Sequence, residues 1–165
     1  GITQMEIVED APDRIGFADK TGDSTRQFWI SDGELFIKNA TLTHKNTSFD
    51  DYVIEVDWRP VSEDIGTQGI IFNNNTCFVY FRGPWVNFSC DGERLYQADL
   101  YGSFAKKIRV ILKGSNIVFY YNEQPKKYWK TENPGFVYPF VLFGSNDVAA
   151  FSNFKIWDIT DLELP

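Results

Sequence analysis

The only two cysteines of the chain lie at equal distances from a Gly-Pro dipeptide, in the stretch TCFVYFRGPWVNFSCD at positions 76–91. Folded as a two-residue hairpin with Gly83 and Pro84 at its tip, this stretch sets Arg82 opposite Trp85, Phe81 opposite Val86, Val79 opposite Phe88 and Cys77 opposite Cys90. Hydrogen-bonded and non-hydrogen-bonded pairs alternate outward from the turn. Cys77 and Cys90 land on a non-hydrogen-bonded pair, where side chains approach most closely. The expectation is a Cys77–Cys90 disulfide, with a buried reduced pair as the alternative. Side chains alternate along a strand, so Cys77, Val79, Phe81, Val86, Phe88 and Cys90 form one apolar face turned to the core. Phe78, Tyr80, Arg82, Trp85, Asn87 and Ser89 form the other, which is aromatic and polar together.

Composition narrows the class. A length of 165 residues suits one domain with a substantial core; the expected organisation is a single domain over 1–165, with 159–165 as an exit linker. No run approaches the roughly 18 apolar residues of a membrane-spanning helix, so membrane insertion is not expected. The net charge of −7, with acidic residues spread along the chain, disfavours nucleic acid and anionic lipid at long range. A cysteine pair in hairpin register suggests an oxidising compartment. Acceptor sequons begin at Asn39, Asn46, Asn74 and Asn87, where chance predicts about one. Both point to a secreted or cell-surface protein, an Asn-rich bacterial protein being the alternative. With no initiator Met, signal peptide or apolar anchor among its residues, the chain is expected to be a mature product or a domain of a longer protein.

The remaining pattern is almost entirely of period two. Residues 27–39 read as a hairpin through Asp32-Gly33, a strong turn signal, which pairs Phe28 with Ile37 and Ile30 with Leu35 and turns Trp29 and Phe36 the other way. Residues 51–59 alternate between Tyr52, Ile54, Val56 and Trp58 on one face and Val53, Glu55, Asp57 and Arg59 on the other. Short strands follow at 69–72 and 94–98, and a hairpin through Gly114-Ser115 sets Ile108, Val110 and Leu112 against Tyr121, Phe119 and Ile117. A turn at 122–125, an edge strand at 128–130, a buried strand at 136–143 and a closing strand at 151–159 complete the second half. Near the start, strands are expected at 5–8 and 15–17. His44 falls in a polar loop and receives no role. About a dozen strands with tight turns and no 3.6-residue period argue for an antiparallel sandwich or barrel, and this many strands favour two packed sheets.

Order and spacing then resemble a known superfamily. Trp29 leading into Asp32-Gly33-Glu34-Leu35, the strand DYVIEVDWR at 51–59 and GIIF at 69–72 resemble the entry of concanavalin A-like jelly rolls, in particular laminin-G-like and 3-keto-disaccharide-hydrolase-like modules. KIRVILKG at 107–114 with IVFYYN at 117–122, and FSNFKI at 151–156, resemble the later strands of those modules. The resemblance implies an all-β, antiparallel two-sheet jelly roll. It departs at Asn73, where the hydrolase-like modules commonly carry Arg, and at Glu123, usually Gly; both weaken a transfer of enzymatic activity.

The candidate chemistry divides accordingly. Glu55 and Asp57 share a strand face and invite comparison with E-x-D-x-x-E glycoside hydrolases, but the third position is Pro60, and retaining hydrolysis needs a second carboxyl group about 5 Å from the nucleophile. One His, a cysteine pair and no G-x-S-x-G leave nucleophilic catalysis without parts. No catalytic residue and no catalytic metal or cofactor are assigned; the resemblance leaves room for a structural calcium on loop oxygens around Asp23 or Glu63 and Asp64. Sugar rings stack their C–H faces on aromatic side chains while amides, carboxylates and Arg bond the hydroxyls. The expected ligand site is therefore Phe78, Tyr80, Arg82, Trp85 and Asn87 with Glu55, Asp57 and Arg59 beside them. The alternatives are a face covered by a further layer of chain or buried against another protein domain. The expected role is a non-catalytic extracellular module recognising glycan or glycoprotein; a protein-binding adhesion or assembly domain comes second and a glycoside hydrolase third.

Overall fold

The computed structural model describes residues 4–6, 17–19, 27–38, 40–44, 51–61, 66–73, 75–100, 106–133, 141–144 and 147–159. Among these residues, fifteen strands make up two antiparallel sheets. The first runs in spatial order β13 (Gln124–Lys130), β12 (Asn116–Tyr121), β11 (Lys106–Lys113), β6 (Tyr52–Pro60), β15 (Ala149–Asp158), β4 (Glu34–Lys38) and β3 (Gln27–Ser31), with β1 (Gln4–Glu6) paired to the end of β15. The second runs β10 (Glu93–Asp99), β9 (Trp85–Cys90), β8 (Cys77–Arg82), β7 (Gln68–Phe72), β14 (Val141–Gly144), β5 (Ala40–His44) and β2 (Phe17–Asp19). No helix among the described residues is long and apolar enough to cross a membrane.

The expected registers hold at all three hairpins. Phe28 pairs with Ile37 and Ile30 with Leu35, Ile108 pairs with Tyr121 and Leu112 with Ile117, and Cys77 pairs with Cys90 and Arg82 with Trp85. The Cys77–Cys90 disulfide is formed, with Cα atoms 4.1 Å apart. Local turn chemistry accounts for this precision. Asp32-Gly33 and Asp91-Gly92 both hold positive φ at their two central residues, the geometry whose twist matches that of the flanking strands.

Four expectations need correction. Residues 40–44 form a strand, with His44 at its end, rather than a polar loop; the Ala-Thr-Leu-Thr alternation is satisfied by pairing with β14 and β2, which lie far away in sequence. The turn after β12 is only Asn122-Glu123, both at positive φ (49° and 67°). Gln124 and Pro125 already belong to β13, where a register shift and the sheet edge accommodate a residue without an N–H. Near the start, the described strand residues begin at Gln4 rather than Met5, and those of the second strand run on to Asp19 rather than ending at Phe17; residues 7–8 and 15–16 lie outside the described residues. Ile159, assigned to the exit linker, is buried and donates its N–H to the Asp51 carbonyl. Residues 160–165, and 136–140 of the expected 136–143 strand, lie outside the described residues.

The sheets meet through aromatic rings. Trp58 of β6 stacks on Phe81 of β8 with centroids 3.7 Å apart, and Phe88 of β9 stacks on Phe119 of β12 at 5.1 Å. Trp58 also donates its indole N–H to Gln68 Oε1 (2.8 Å), and Gln68 Nε2 donates onward to the Val148 carbonyl. The inner faces of β6 and of β8–β9 therefore face one another. This fixes where their outer faces point.

Candidate functional site

The outer face of β8, β9 and β10 is built of cross-strand rows. One row contains Arg82, Trp85 and Asp99; the next contains Tyr80, Asn87 and Gln97; a third contains Phe78, Ser89 and Arg94. A register shift between Arg94 and Tyr96 brings Gln97 and Asp99 to this face while turning Tyr96 inward onto Phe119. Bulges of this kind re-aim side chains, and nothing in a period-two reading of 94–98 signals this one.

The rows differ in openness. Trp85 is 40% exposed and Arg82 is exposed, whereas Tyr80 and Phe78 are half-buried. Asn87 is only 2% exposed, its side-chain carbonyl accepting a hydrogen bond from Gln97 Nε2 at 2.9 Å. This burial disfavours a glycan extending from Asn87 on the folded chain and makes the residue a support for the face rather than a contact on it. Asn39, Asn46 and Asn74 lie outside the described residues, as do Asp23, Glu63 and Asp64 of the expected calcium loops. Among the described residues no group of three or more His, Cys, Asp or Glu is placed to hold a metal.

Glu55, Asp57 and Arg59 do not join this face. They project from β6 on the far side of the first sheet, and the Trp58–Phe81 stack lies between the two surfaces. The expectation of one site failed because a strand's alternation says which residues share a face but not which sheet the strand enters. On their own surface these groups are engaged. Glu55, 8% exposed, accepts from Arg109 Nε at 2.8 Å and has Lys107 Nζ at 3.5 Å. Asp57 accepts from Asn153 Nδ2 at 2.7 Å, and Arg59 makes two bonds to Glu34, at 2.6 and 2.9 Å. Asp57, Lys107, Asn122 and Glu123 line an open pocket of ≈ 270 Å³. Burial there opposes the Lys107 charge, but Glu55, Asp57 and Glu123 outweigh it and hold the ammonium above its ordinary pKa. A carboxylate locked to a guanidinium and a lysine held protonated are poor material for acid–base catalysis at neutral pH.

A tryptophan left out of the expected site sits on that same far surface, beside Arg59. Trp29, 39% exposed, stacks flat on Phe36 (5.3 Å), and the Arg59 guanidinium lies 5.7 Å from the Phe36 ring centre. The opposition of Trp29 and Phe36 was legible in the hairpin register; the arrival of Arg59, from a strand two places away, was not.

Below the disulfide, Asp91 ties the sheets together at one end. Its carboxylate accepts from Trp129 Nε1 (2.9 Å), Thr131 Oγ1 (3.0 Å), the Glu132 backbone N–H (3.3 Å) and Asn133 Nδ2 (3.0 Å). Burial alone would raise its pKa, but these four donors outweigh that and hold it below the ordinary carboxylate value. A depressed folded pKa contributes stability that is present above the unfolded value near 4 and is lost as pH falls through the folded value. Asp91→Ala is expected to lower unfolding free energy by about 2–3 kcal/mol at pH 7, since several donors lose a charged acceptor. The deficit relative to wild type should shrink below about pH 4, where the wild-type carboxyl also protonates. Urea unfolding at pH 7 and pH 3 checks both statements; an equal deficit at the two values would contradict the assignment.

No protein-family model matches the sequence, and no match was found among curated protein sequences. Solved structures do match. A carbohydrate-binding module, CBM66 from Bacillus subtilis, superposes with a TM-score of 0.66 at 10% identity, over 85% of this chain and 94% of that one. The β-glucanase of Bacillus licheniformis gives 0.64 at 12% identity, over 95% and 97% of the two chains. A β-1,3-1,4-glucanase (lichenase) from a mouse hindgut metagenome gives 0.64 at 12%, over 95% and 98%. At these identities the likeness speaks to architecture, and with the two antiparallel sheets it establishes that the chain has the concanavalin A-like jelly-roll fold.

Proposed function

We propose that this chain is a non-catalytic recognition module that binds carbohydrate on the Tyr80–Trp85 face, in an extracellular setting. One observation carries the reading. Among the described residues, Trp85 is the one tryptophan of five with neither a ring partner nor a hydrogen-bond partner: Trp29 stacks on Phe36, Trp58 on Phe81, Trp129 donates to Asp91, and Trp157 has a contact of its own. An exposed, unstacked indole beside a half-buried Tyr80 on one sheet face offers an aromatic surface on which a sugar ring's C–H face can stack. Supporting polar groups are held in place, Asn87 by Gln97 above all. Preformed aromatic surfaces with a few convergent polar groups are the general form of small-ligand sites. The fold shared with a module named for carbohydrate binding and with two glucanases favours a saccharide among such ligands. The disulfide fits an oxidising, extracellular compartment.

Trp85→Ala is expected to weaken oligosaccharide binding at least tenfold, the loss of about 1.4 kcal/mol or more that follows removal of an aromatic anchor. Tyr80→Ala should have a smaller effect in the same direction. Calorimetry on a hit from a glycan array measures both, and unchanged affinity in the two variants would remove this face from consideration. A protein-binding adhesion or assembly role is the second reading. It draws on the Trp29–Phe36–Arg59 stack of the opposite surface, aromatic and Arg side chains being typical interface anchors. A pull-down partner insensitive to free sugars and lost in Trp29→Ala would favour it.

A further inference from the structure

The arginines of the two outer surfaces are treated differently. On the first sheet, Arg59 is bonded to Glu34 and Arg109 to Glu55. On the second, Arg82 and Arg94 are exposed and have no carboxylate, hydrogen-bond or ring partner among the described residues. Carboxylates are plentiful in this chain, which has 23 Asp and Glu against 16 Lys and Arg. Two guanidinium groups left free on the one face that also holds a free indole are therefore not a consequence of scarcity. Asp99, the one acidic side chain of that row, makes a contact of its own, and Arg82 is not part of it.

Arg82 and Trp85 are directly opposed in the hairpin. By the turn count they form a hydrogen-bonded pair, whose Cα atoms stand about 5.5 Å apart, and Tyr80 follows on the same face about 7 Å along the strand. A ring stacked on Trp85 brings its substituents within reach of the Arg82 fork. That fork is planar, permanently charged and shaped to take a carboxylate or sulfate through two parallel N–H bonds.

We propose that this face selects anionic sugars, with Trp85 stacking the ring and Arg82 receiving its carboxylate or sulfate; the proposal rests on the carbohydrate-binding reading above. The net charge of −7 does not oppose it decisively. At physiological ionic strength charges are screened over about 8 Å, so the remote acidic residues act weakly while Arg82 acts in contact. Arg94, three rows from the turn on the same face, extends the positive edge for a second charged unit.

The test is a glycan array carrying neutral, uronate-bearing, sialylated and sulfated oligosaccharides, followed by calorimetry of the best anionic ligand and its neutral, carboxyl-reduced or desulfated counterpart. Wild type, Arg82→Ala, Arg82→Lys and Trp85→Ala are compared. Wild type is expected to prefer the anionic member at least tenfold. Arg82→Ala should abolish that preference, lowering affinity for the anionic member at least tenfold more than for its neutral counterpart, and Arg82→Lys should restore it only in part, with stronger salt dependence. Trp85→Ala should weaken both members. If wild type binds neutral and anionic members equally, or Arg82→Ala keeps the preference, the anionic selection is wrong while the carbohydrate reading stands. If no oligosaccharide binds, both are wrong. Carboxylated against sulfated hits distinguish the two sources of charge.

Discussion

Trp58→Ala is expected to be the most damaging single substitution at a described position, lowering the unfolding free energy by about 5 kcal/mol. Removing a fully buried tryptophan typically costs about 3–5 kcal/mol. Here it also strips Gln68 Oε1, in a residue 1% exposed, of its indole donor, and an orphaned buried acceptor costs a further 1–3 kcal/mol or so. Domains of this kind are stable by only about 5–15 kcal/mol in total. The melting temperature should fall by roughly 10–20 °C, at about 2–4 °C per kcal/mol for a chain of this length. Trp58→Phe separates the two terms. It keeps a ring on Phe81 and loses the N–H, so it should retain more than half of the stability that alanine removes. Thermal unfolding followed by near-ultraviolet circular dichroism measures both; equal losses in the two variants would show that the hydrogen bond, and not the stack across the sheets, dominates.

Gly69→Ala should cost about 3 kcal/mol, for a different reason. A Cβ at this position would collide with the Val79 carbonyl oxygen and lie 2.7 Å from Tyr80 Cα. Both obstacles are backbone, so no rotamer change relieves them, and overpacking against fixed atoms usually costs about 1–3 kcal/mol, sometimes more. Strand β7 must part from β8 in the middle of the second sheet, where Gly69 is paired with Tyr80 on one side and Phe143 on the other. Gly114→Ala is the control. Its Cβ meets nothing within 4 Å, and only its positive φ of 59° is penalised, at about 1 kcal/mol. Because Tyr80 carries the displaced backbone, Gly69→Ala should also weaken ligand binding in any sample that remains folded. A stability loss no larger than that of Gly114→Ala would contradict the close approach of β7 and β8.

Both predictions depend on contacts made between strands rather than along one, and this separates what could be read early from what could not. The Cys77–Cys90 pairing, the three hairpin registers and the split between apolar and aromatic faces all follow from local rules: turn residues fix the register, and a period of two assigns faces. The two-sheet sandwich followed from the number of short strands, and the jelly-roll class from the resemblance of motif order and spacing to concanavalin A-like modules. Asp51, by contrast, caps a hairpin turn 63 residues away by accepting from the Gly114 N–H, and Asn73, read as a departure from a family pattern, is a fully buried turn residue donating to the Asn133 carbonyl. Neither role has a local signature.

The candidate site shows the same division at its most consequential. The sequence by itself determined that Phe78, Tyr80, Arg82 and Trp85 share a face, because alternation along one hairpin leaves no other arrangement. Only the tertiary structure decided that Glu55, Asp57 and Arg59 belong to the opposite surface, that Gln97 and Asp99 belong to this one, and that Asn87 is enclosed. The physical reason is that alternation is a property of one strand, whereas the sheet a strand enters, the neighbour it takes and the bulge that re-aims it are set by burial of the whole apolar surface at once.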